Sequence, residues 1–125
     1  MKALINKIFS CNNKETFEAL ALELFHYQME NNPIYAPYAA LILKVKIPAN
    51  IYEIPFLPID FFKQEQIICQ GKGVEEVFLS SGTTGGQSKH LISDLSLYKK
   101  SYRKTFKQFY GDISDYCILS LLPSY

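Results

Sequence analysis

Apolar residues recur at helical spacing in the first third of the chain. Ala3 to Phe9 form a short amphipathic pattern, which predicts a first helix. A longer pattern predicts a second helix from Lys14 to about Asn31, with Asn13 placed to cap its N-terminus. Asn32-Pro33 then predicts the start of a third helix running to about Leu43, because proline loses nothing in a first helical turn.

The pattern changes after residue 46. Prolines interrupt the apolar segment from Ile47 to Phe62, which predicts extended chain with one helical turn near Ile59 to Lys63. Gln66 to Cys69 and Glu76 to Leu79 are short segments rich in β-favouring residues, and the turn Gly71-Lys72-Gly73 lies between them. These three segments predict a β-hairpin.

A short strand is predicted at His90 to Ile92, followed by a helix from Leu95 to about Tyr110. Asp94 or Ser93 is suited to cap that helix, and Gly111 to end it. One face of the helix is aromatic and another is basic. The basic face is interpreted as a solvated surface, with a site for an acidic partner or a nucleotide as the alternative.

The final apolar run, Tyr116 to Leu122, predicts a strand close to the last residue, Tyr125. The predicted fold class is α/β, with N-terminal helices (residues 1–46) packed on a partial mixed sheet (residues 47–125) in one incomplete domain. A sheet that stops at its last strand would expose an edge, so we expect possible self-association there.

Composition narrows the function classes. Lys+Arg number 13 and Asp+Glu 12, so a net charge of +1 gives no overall attraction to nucleic acid or to an anionic membrane. Cys11, Cys69 and Cys117 are widely spaced and odd in number, which is typical of a protein of the reducing cytoplasm. Together with His26 and His90 they form no metal-ligand pattern. The apolar runs are shorter than the roughly 18 residues of a membrane span.

The segment FLSSGTTGGQSKH, Phe78 to His90, has the residue types of a phosphate-binding loop. Backbone N–H groups and hydroxyls can donate to an anion, and glycines allow close approach. The segment is not a Walker A loop, because Gln87 stands where GxxxxGK[ST] has glycine. The Gly71-Lys72-Gly73 turn also lacks the last glycine of GxGxxG. A surface loop without a ligand is the alternative.

The order Ser81-Gly82-Thr83-Thr84-Gly85 resembles the phosphate loop of the adenylate-forming acyl-CoA synthetase superfamily, roughly [ST]-S-G-T-T-G-x-P-K. Gln87 replaces the usual proline, and Lys89 comes one position late. The later Ser-Lys is more similar to the bacterial acyl-protein synthetase branch, the fatty-acid ligases of bioluminescence operons. Asn32-Pro33-Ile34-Tyr35 and IPFLPIDFFK, Ile54 to Lys63, also resemble that branch, as do Asp94 and the helix of Tyr98.

The resemblance implies a two-step reaction with ATP and Mg²⁺. A carboxylic acid is activated as an acyl-adenylate, and the acyl group then moves to a thiol of a protein or of coenzyme A. It implies phosphate contacts from the hydroxyls and Lys89, with glycines shaping the turn; the residues are Ser80, Ser81, Gly82, Thr83, Thr84, Gly85, Gly86, Ser88 and Lys89. Catalytic residues are not assigned, and the three cysteines are interpreted as incidental thiols.

Members of that superfamily are much longer, so we expect the chain to be an N-terminal part that does not form acyl-adenylate by itself. The rival hypothesis is a complete small module that binds an anion or a partner without catalysis. A nucleic-acid binder using the basic helix is a third reading, which the near-zero net charge disfavours.

Overall fold

The computed structural model describes residues 2–81 and 86–121. The chain forms two compact units, Met1–Ser93 and Asp94–Tyr125. The first unit contains helices α1 to α4, a 3₁₀ turn and two strands: α1 Lys2–Ser10, α2 Lys14–Asn31, α3 Tyr35–Leu43, the turn Ile51–Glu53, α4 Phe61–Gln64, β1 Glu76–Leu79 and β2 Lys89–Ile92. The second contains α5 Leu95–Tyr110 and a 3₁₀ turn, Ile113–Asp115. The coarse prediction of a chain mixing helices with a sheet is confirmed.

The predicted helix caps are present. The Asn13 side-chain oxygen accepts a hydrogen bond from the N–H of Thr16 at 2.9 Å, and α2 begins at Lys14 as expected. Asp94 accepts from the N–H of Leu97 at 3.0 Å at the start of α5. Side-chain caps of this kind satisfy backbone donors that have no partner inside the helix.

Asn32 joins α2 to α3. Its side-chain oxygen accepts from the N–H groups of Ile34 and Tyr35 at 3.1 and 3.0 Å, and its amide donates to Gln28 at 2.9 Å. The residue is buried, so these bonds offset the cost of removing its amide from water. The expected capping role is confirmed, although regular helix begins only at Tyr35.

The core of the first unit lies between α2, α3 and the proline-rich segment that follows. Its buried members are Phe25, Tyr35, Ala39 and Ile54. The Tyr35 hydroxyl donates to the carbonyl of Pro55 at 2.9 Å, so the extended segment is tied to α3 by a buried hydrogen bond. We call α2, α3 and the turn Ile51–Glu53 the helical core region.

The predicted hairpin between Gln66–Cys69 and Glu76–Leu79 is wrong. Residues 66–69 are irregular, and β1 instead pairs with β2 as a two-stranded antiparallel sheet. The segment before β1 is bonded to α2: the N–H of Gln70 donates to the carbonyl of Asn31 at 2.7 Å, and the Cys69 thiol to Gln28 at 3.7 Å. These two groups attach the segment to α2.

Two further expectations about the sheet are corrected. The described sheet is purely antiparallel rather than mixed, and the short helix α4 packs on its strand β2. Residues 116–121 contain no strand. After α5 the chain turns through Ile113–Asp115, and the Tyr116 ring lies edge-on to Phe106 with centroids 5.6 Å apart. Leu122 lies outside the described residues. Self-association was predicted from an exposed edge of the predicted last strand. It stays a prediction, but residues 116–121 do not supply the strand on which it was based.

Candidate anion-binding loop

The glycine- and hydroxyl-rich segment connects β1 to β2. The strand register pairs Leu79 with Lys89 and Phe78 with His90, so the segment closes a hairpin. The structure describes Ser80 and Ser81 on one side of it and residues 86–88 on the other. Four predicted phosphate-site residues lie outside the described residues: Gly82, Thr83, Thr84 and Gly85.

Two serines close the ends of the loop. The N–H of Ser80 donates to the carbonyl of Ser88 at 3.1 Å, and the N–H of Ser88 donates to the Ser80 hydroxyl oxygen at 2.9 Å. Ser88 is buried, with 6% of its surface exposed. The Ser80 hydroxyl accepts in this contact and keeps its own O–H to donate. Its predicted role as a phosphate donor is therefore compatible with its structural one.

A histidine continues this contact toward α4. The Ser88 hydroxyl lies 3.3 Å from Nε2 of His90, and the tautomer of the ring decides which atom donates. The His90 ring stacks on Phe62, with centroids 4.9 Å apart and an interplanar angle of 22°. We call Ser80, Ser88, His90 and Phe62 the loop base. It ties the loop to α4 through His90 and Phe62, which are not among the predicted phosphate-site residues.

The structure separates Lys89 from the loop base. Successive side chains of a strand project to opposite faces, and directly paired residues share a face. Phe78 and His90 therefore share the face covered by α4, whereas Leu79 and Lys89 lie on the other. The Lys89 residue is exposed. Of the predicted phosphate-site residues, Ser80 and Ser88 are therefore in contact with each other. Lys89 lies on the other face of the strand.

Gly86 has a backbone φ of 136°, in a region that L side chains rarely adopt. A Cβ added there would meet no atom within 4 Å, so the constraint is backbone strain and not crowding. Ser81, at the other described end of the loop, is exposed. The described ends of the loop thus combine an exposed hydroxyl with a conformation that favours glycine.

The described residues fit a phosphate better than they fit a magnesium ion. Serine hydroxyls and backbone N–H groups are phosphate donors, whereas Mg²⁺ prefers carboxylate and other oxygen ligands. Within residues 2–81 and 86–121, no three His, Cys, Asp or Glu side chains gather as a metal site would require. A magnesium ion at this loop would therefore depend on the phosphates and on ligands from outside the described residues.

The environment of Cys69 differs from that of a nucleophile. Burial raises the pKa of its thiol, and the opposing hydrogen bond with Tyr27 and the charge of Lys72 are smaller effects. A raised pKa reduces the thiolate fraction near neutral pH, and the thiolate is the reactive form.

The sequence identified the loop but not the histidine at its base. Ser88 directly precedes β2 and lies two positions before His90, and this spacing is the available signal that the two side chains share a face. Phe62 gives no such signal, because its contact depends on how α4 lies against β2.

Comparisons with protein-family models, curated proteins and solved structures found no match. No helix in the described ranges is long and apolar enough to cross a membrane.

Proposed function

We propose that this chain is the N-terminal part of a cytoplasmic ATP-dependent acyl-adenylating ligase, and that the segment from Ser80 to Lys89 holds the phosphates of ATP. The observation that carries the proposal is the placement of the Ser80-Ser81-Gly82-Thr83-Thr84-Gly85 sequence at a hairpin whose ends are joined by Ser80 and Ser88. Fixed ends lower the entropy lost when a loop closes on a ligand.

In the proposed reaction a carboxylate oxygen attacks the α-phosphorus of ATP, and pyrophosphate leaves with the electrons of the broken P–O bond. A thiolate then attacks the acyl carbonyl, giving a thioester and AMP. The contribution of this chain is to hold the departing β- and γ-phosphates with hydroxyl and backbone donors. Mg²⁺, when bound, supplies further neutralisation of phosphate charge.

A second candidate function is a small module that binds a phosphate-bearing ligand without catalysis. The loop ends joined by Ser80 and Ser88 favour it, because these contacts form within this chain and suit an anion without any catalytic group. Both proposals use the same loop. They differ in whether a carboxylic acid reacts with the bound nucleotide once the catalytic machinery is complete.

Titration calorimetry of the whole chain with ATP, pyrophosphate and AMP tests the shared part of both proposals. We expect ATP and pyrophosphate to bind and AMP to bind much more weakly, because AMP lacks the β- and γ-phosphates. Thr83→Ala/Thr84→Ala should weaken ATP binding by at least about tenfold, since each lost bond to a charged group is worth about 1.5 kcal/mol or more. The matched control is Ser101→Ala/Thr105→Ala, which removes two hydroxyls from α5.

Equal losses in the two variants, or equal binding of AMP and ATP, would contradict the phosphate assignment. ATP–pyrophosphate exchange with added fatty acids separates the two candidates. We expect this chain alone to show no exchange, and exchange to appear when the remainder of a ligase is supplied on the same or a second chain. Exchange that never appears in such a complete protein would favour the binding module.

A further inference from the structure

Positive charge is concentrated in α5. This helix contains five of the 13 Lys and Arg residues of the chain and none of its 12 Asp and Glu residues. All five cationic residues are exposed within a nine-residue stretch, and together we call them the basic helix face: Lys99, Lys100, Arg103, Lys104 and Lys107. The net charge of +1 therefore conceals a strongly basic helix and an acidic remainder.

An aromatic face runs beside the basic one. Tyr98, Tyr102, Phe106 and Phe109 recur every three or four residues, the spacing that aligns side chains along a helix. Phe109 is 72% exposed and Tyr110 is 62% exposed, while Tyr102 is about half exposed. No residue of α5 is buried. The helix therefore presents large rings and cations to solvent side by side.

We propose that α5 binds an anionic lipid surface, lying in the plane of the membrane interface. Helices with Lys and Arg on one face and large apolar side chains on the other bind there by burying the apolar face and attracting anionic headgroups. The long stems of lysine and arginine let their charges reach the headgroup phosphates while the rings of Tyr102 and Phe109 enter the interface.

Lipid is favoured over nucleic acid because it uses both faces of α5. A duplex backbone would attract the basic helix face but would leave the exposed Tyr102 and Phe109 rings in water. A membrane interface accepts cations at its phosphates and aromatic rings just below them.

The nearly neutral whole chain does not prevent this interaction. Charges are screened over about 8 Å at physiological ionic strength, so a lipid surface responds mainly to the helix that touches it. The inference is independent of the phosphate loop and of the proposed ligase activity. It concerns where the protein docks, and no spanning segment is needed.

Flotation of the whole chain with phosphatidylcholine vesicles, with and without phosphatidylserine, tests the proposal. We expect binding to vesicles that contain phosphatidylserine, and a steep loss as salt is raised. Lys99→Gln/Arg103→Gln/Lys107→Gln should lower the partition coefficient about 100-fold, from roughly a fivefold effect per cation near an anionic surface. The matched control, Lys14→Gln/Lys44→Gln/Lys72→Gln, removes the same charge from exposed residues elsewhere and should retain binding.

The aromatic face is tested separately. Phe109→Ser should lower the partition coefficient about tenfold, because it removes a ring that would be buried in the lipid interface on binding. Phe56→Ser is the control, since Phe56 is 74% exposed against 72% for Phe109 and lies in the other unit. Circular dichroism confirms that each variant remains folded.

Three results would overturn the proposal. They are equal binding to vesicles without phosphatidylserine, equal losses in the α5 variants and their controls, and salt-sensitive binding to DNA or RNA in the absence of vesicle binding.

Discussion

The helical core region and the β1–β2 hairpin are stabilised in different ways. In the core region Phe25 and Tyr35 are buried and Ala39 has no exposed surface, and Tyr35 bonds to Pro55, 20 residues away in sequence. In the hairpin β1 is exposed along its whole length. The ends of its loop are joined by bonds between Ser80 and Ser88, and the His90 ring on β2 stacks on Phe62.

The helical core region is thus the part that specifies the fold, whereas the β1–β2 hairpin is the part that contains the candidate site. Burial and long-range hydrogen bonds hold α2 and α3, so substitutions there should affect the stability of the first unit as a whole. Short-range polar contacts hold the loop, so substitutions there should open the loop without unfolding the helices. Ligand-binding loops commonly belong to the less stable parts of a protein.

The largest effect is expected from truncating the core. Phe25→Ala should lower the free energy of unfolding by about 3 kcal/mol, because it removes a buried ring and leaves a cavity. Phe17→Ala on the same helix is the control, since Phe17 is 55% exposed, and it should cost less than about 1 kcal/mol. Urea unfolding followed by circular dichroism measures both.

Phe25→Leu provides an intermediate case if Phe25→Ala prevents folding, and its loss should lie between the other two. Similar losses at Phe25 and Phe17 would show that α2 is not anchored by the buried ring.

A smaller and more local effect is expected at the loop base. Ser80→Ala removes the acceptor for the N–H of buried Ser88, and an unsatisfied buried donor costs about 1–3 kcal/mol. Amide hydrogen exchange should therefore accelerate at Ser88 and in β2, while protection in α2 stays unchanged. Ser81→Ala is the control because Ser81 is exposed. Faster exchange in α2 as well would contradict the separation of the two regions.

The smallest effect is a pH dependence at the edge of the core region. Burial raises the pKa of Cys69, so the folded chain keeps this proton to higher pH than the unfolded chain. The resulting stability is fully present below the ordinary thiol pKa and is lost as pH rises through the raised folded value. Burial also raises the pKa values of Tyr27 and Tyr35, which act in the same direction at still higher pH.

Urea midpoints measured from neutral to alkaline pH test this dependence. Cys69→Ala should reduce the alkaline loss of stability, whereas Cys117→Ala should leave it unchanged because Cys117 is exposed. An identical pH profile in all three proteins would show that the environment of Cys69 does not matter for folding.

The helices and their ends were predictable from the sequence because their signals are local. Asn13 and Asp94 each accept a bond from a residue three positions on, and Gly111 adopts a φ of 90° directly after α5. Each of these signals involves residues only a few positions apart, so the types of the neighbouring residues are enough to identify it.

Strand pairing was not predictable in the same way. Residues 66–69, β1 and the 116–121 run all have strand-like composition, but pairing depends on which segment lies alongside. β2 provides the partner of β1, and α2 takes the polar groups of residues 69–70. The contact between Phe62 and His90 was missed for a related reason, since it depends on how α4 packs on β2.

The bond from the N–H of Gln70 to the carbonyl of Asn31 has a consequence for how this chain can vary. It joins two main-chain groups, so it does not depend on which side chain occupies either position. Among the natural amino acids, only proline at position 70 would abolish the donor. The irregular segment before β1 can therefore accept substitutions while keeping its attachment point on α2, except at Gly71, whose φ of 70° favours glycine. Loop grafting at residues 72–74 should accordingly be tolerated more readily than their lack of regular structure suggests.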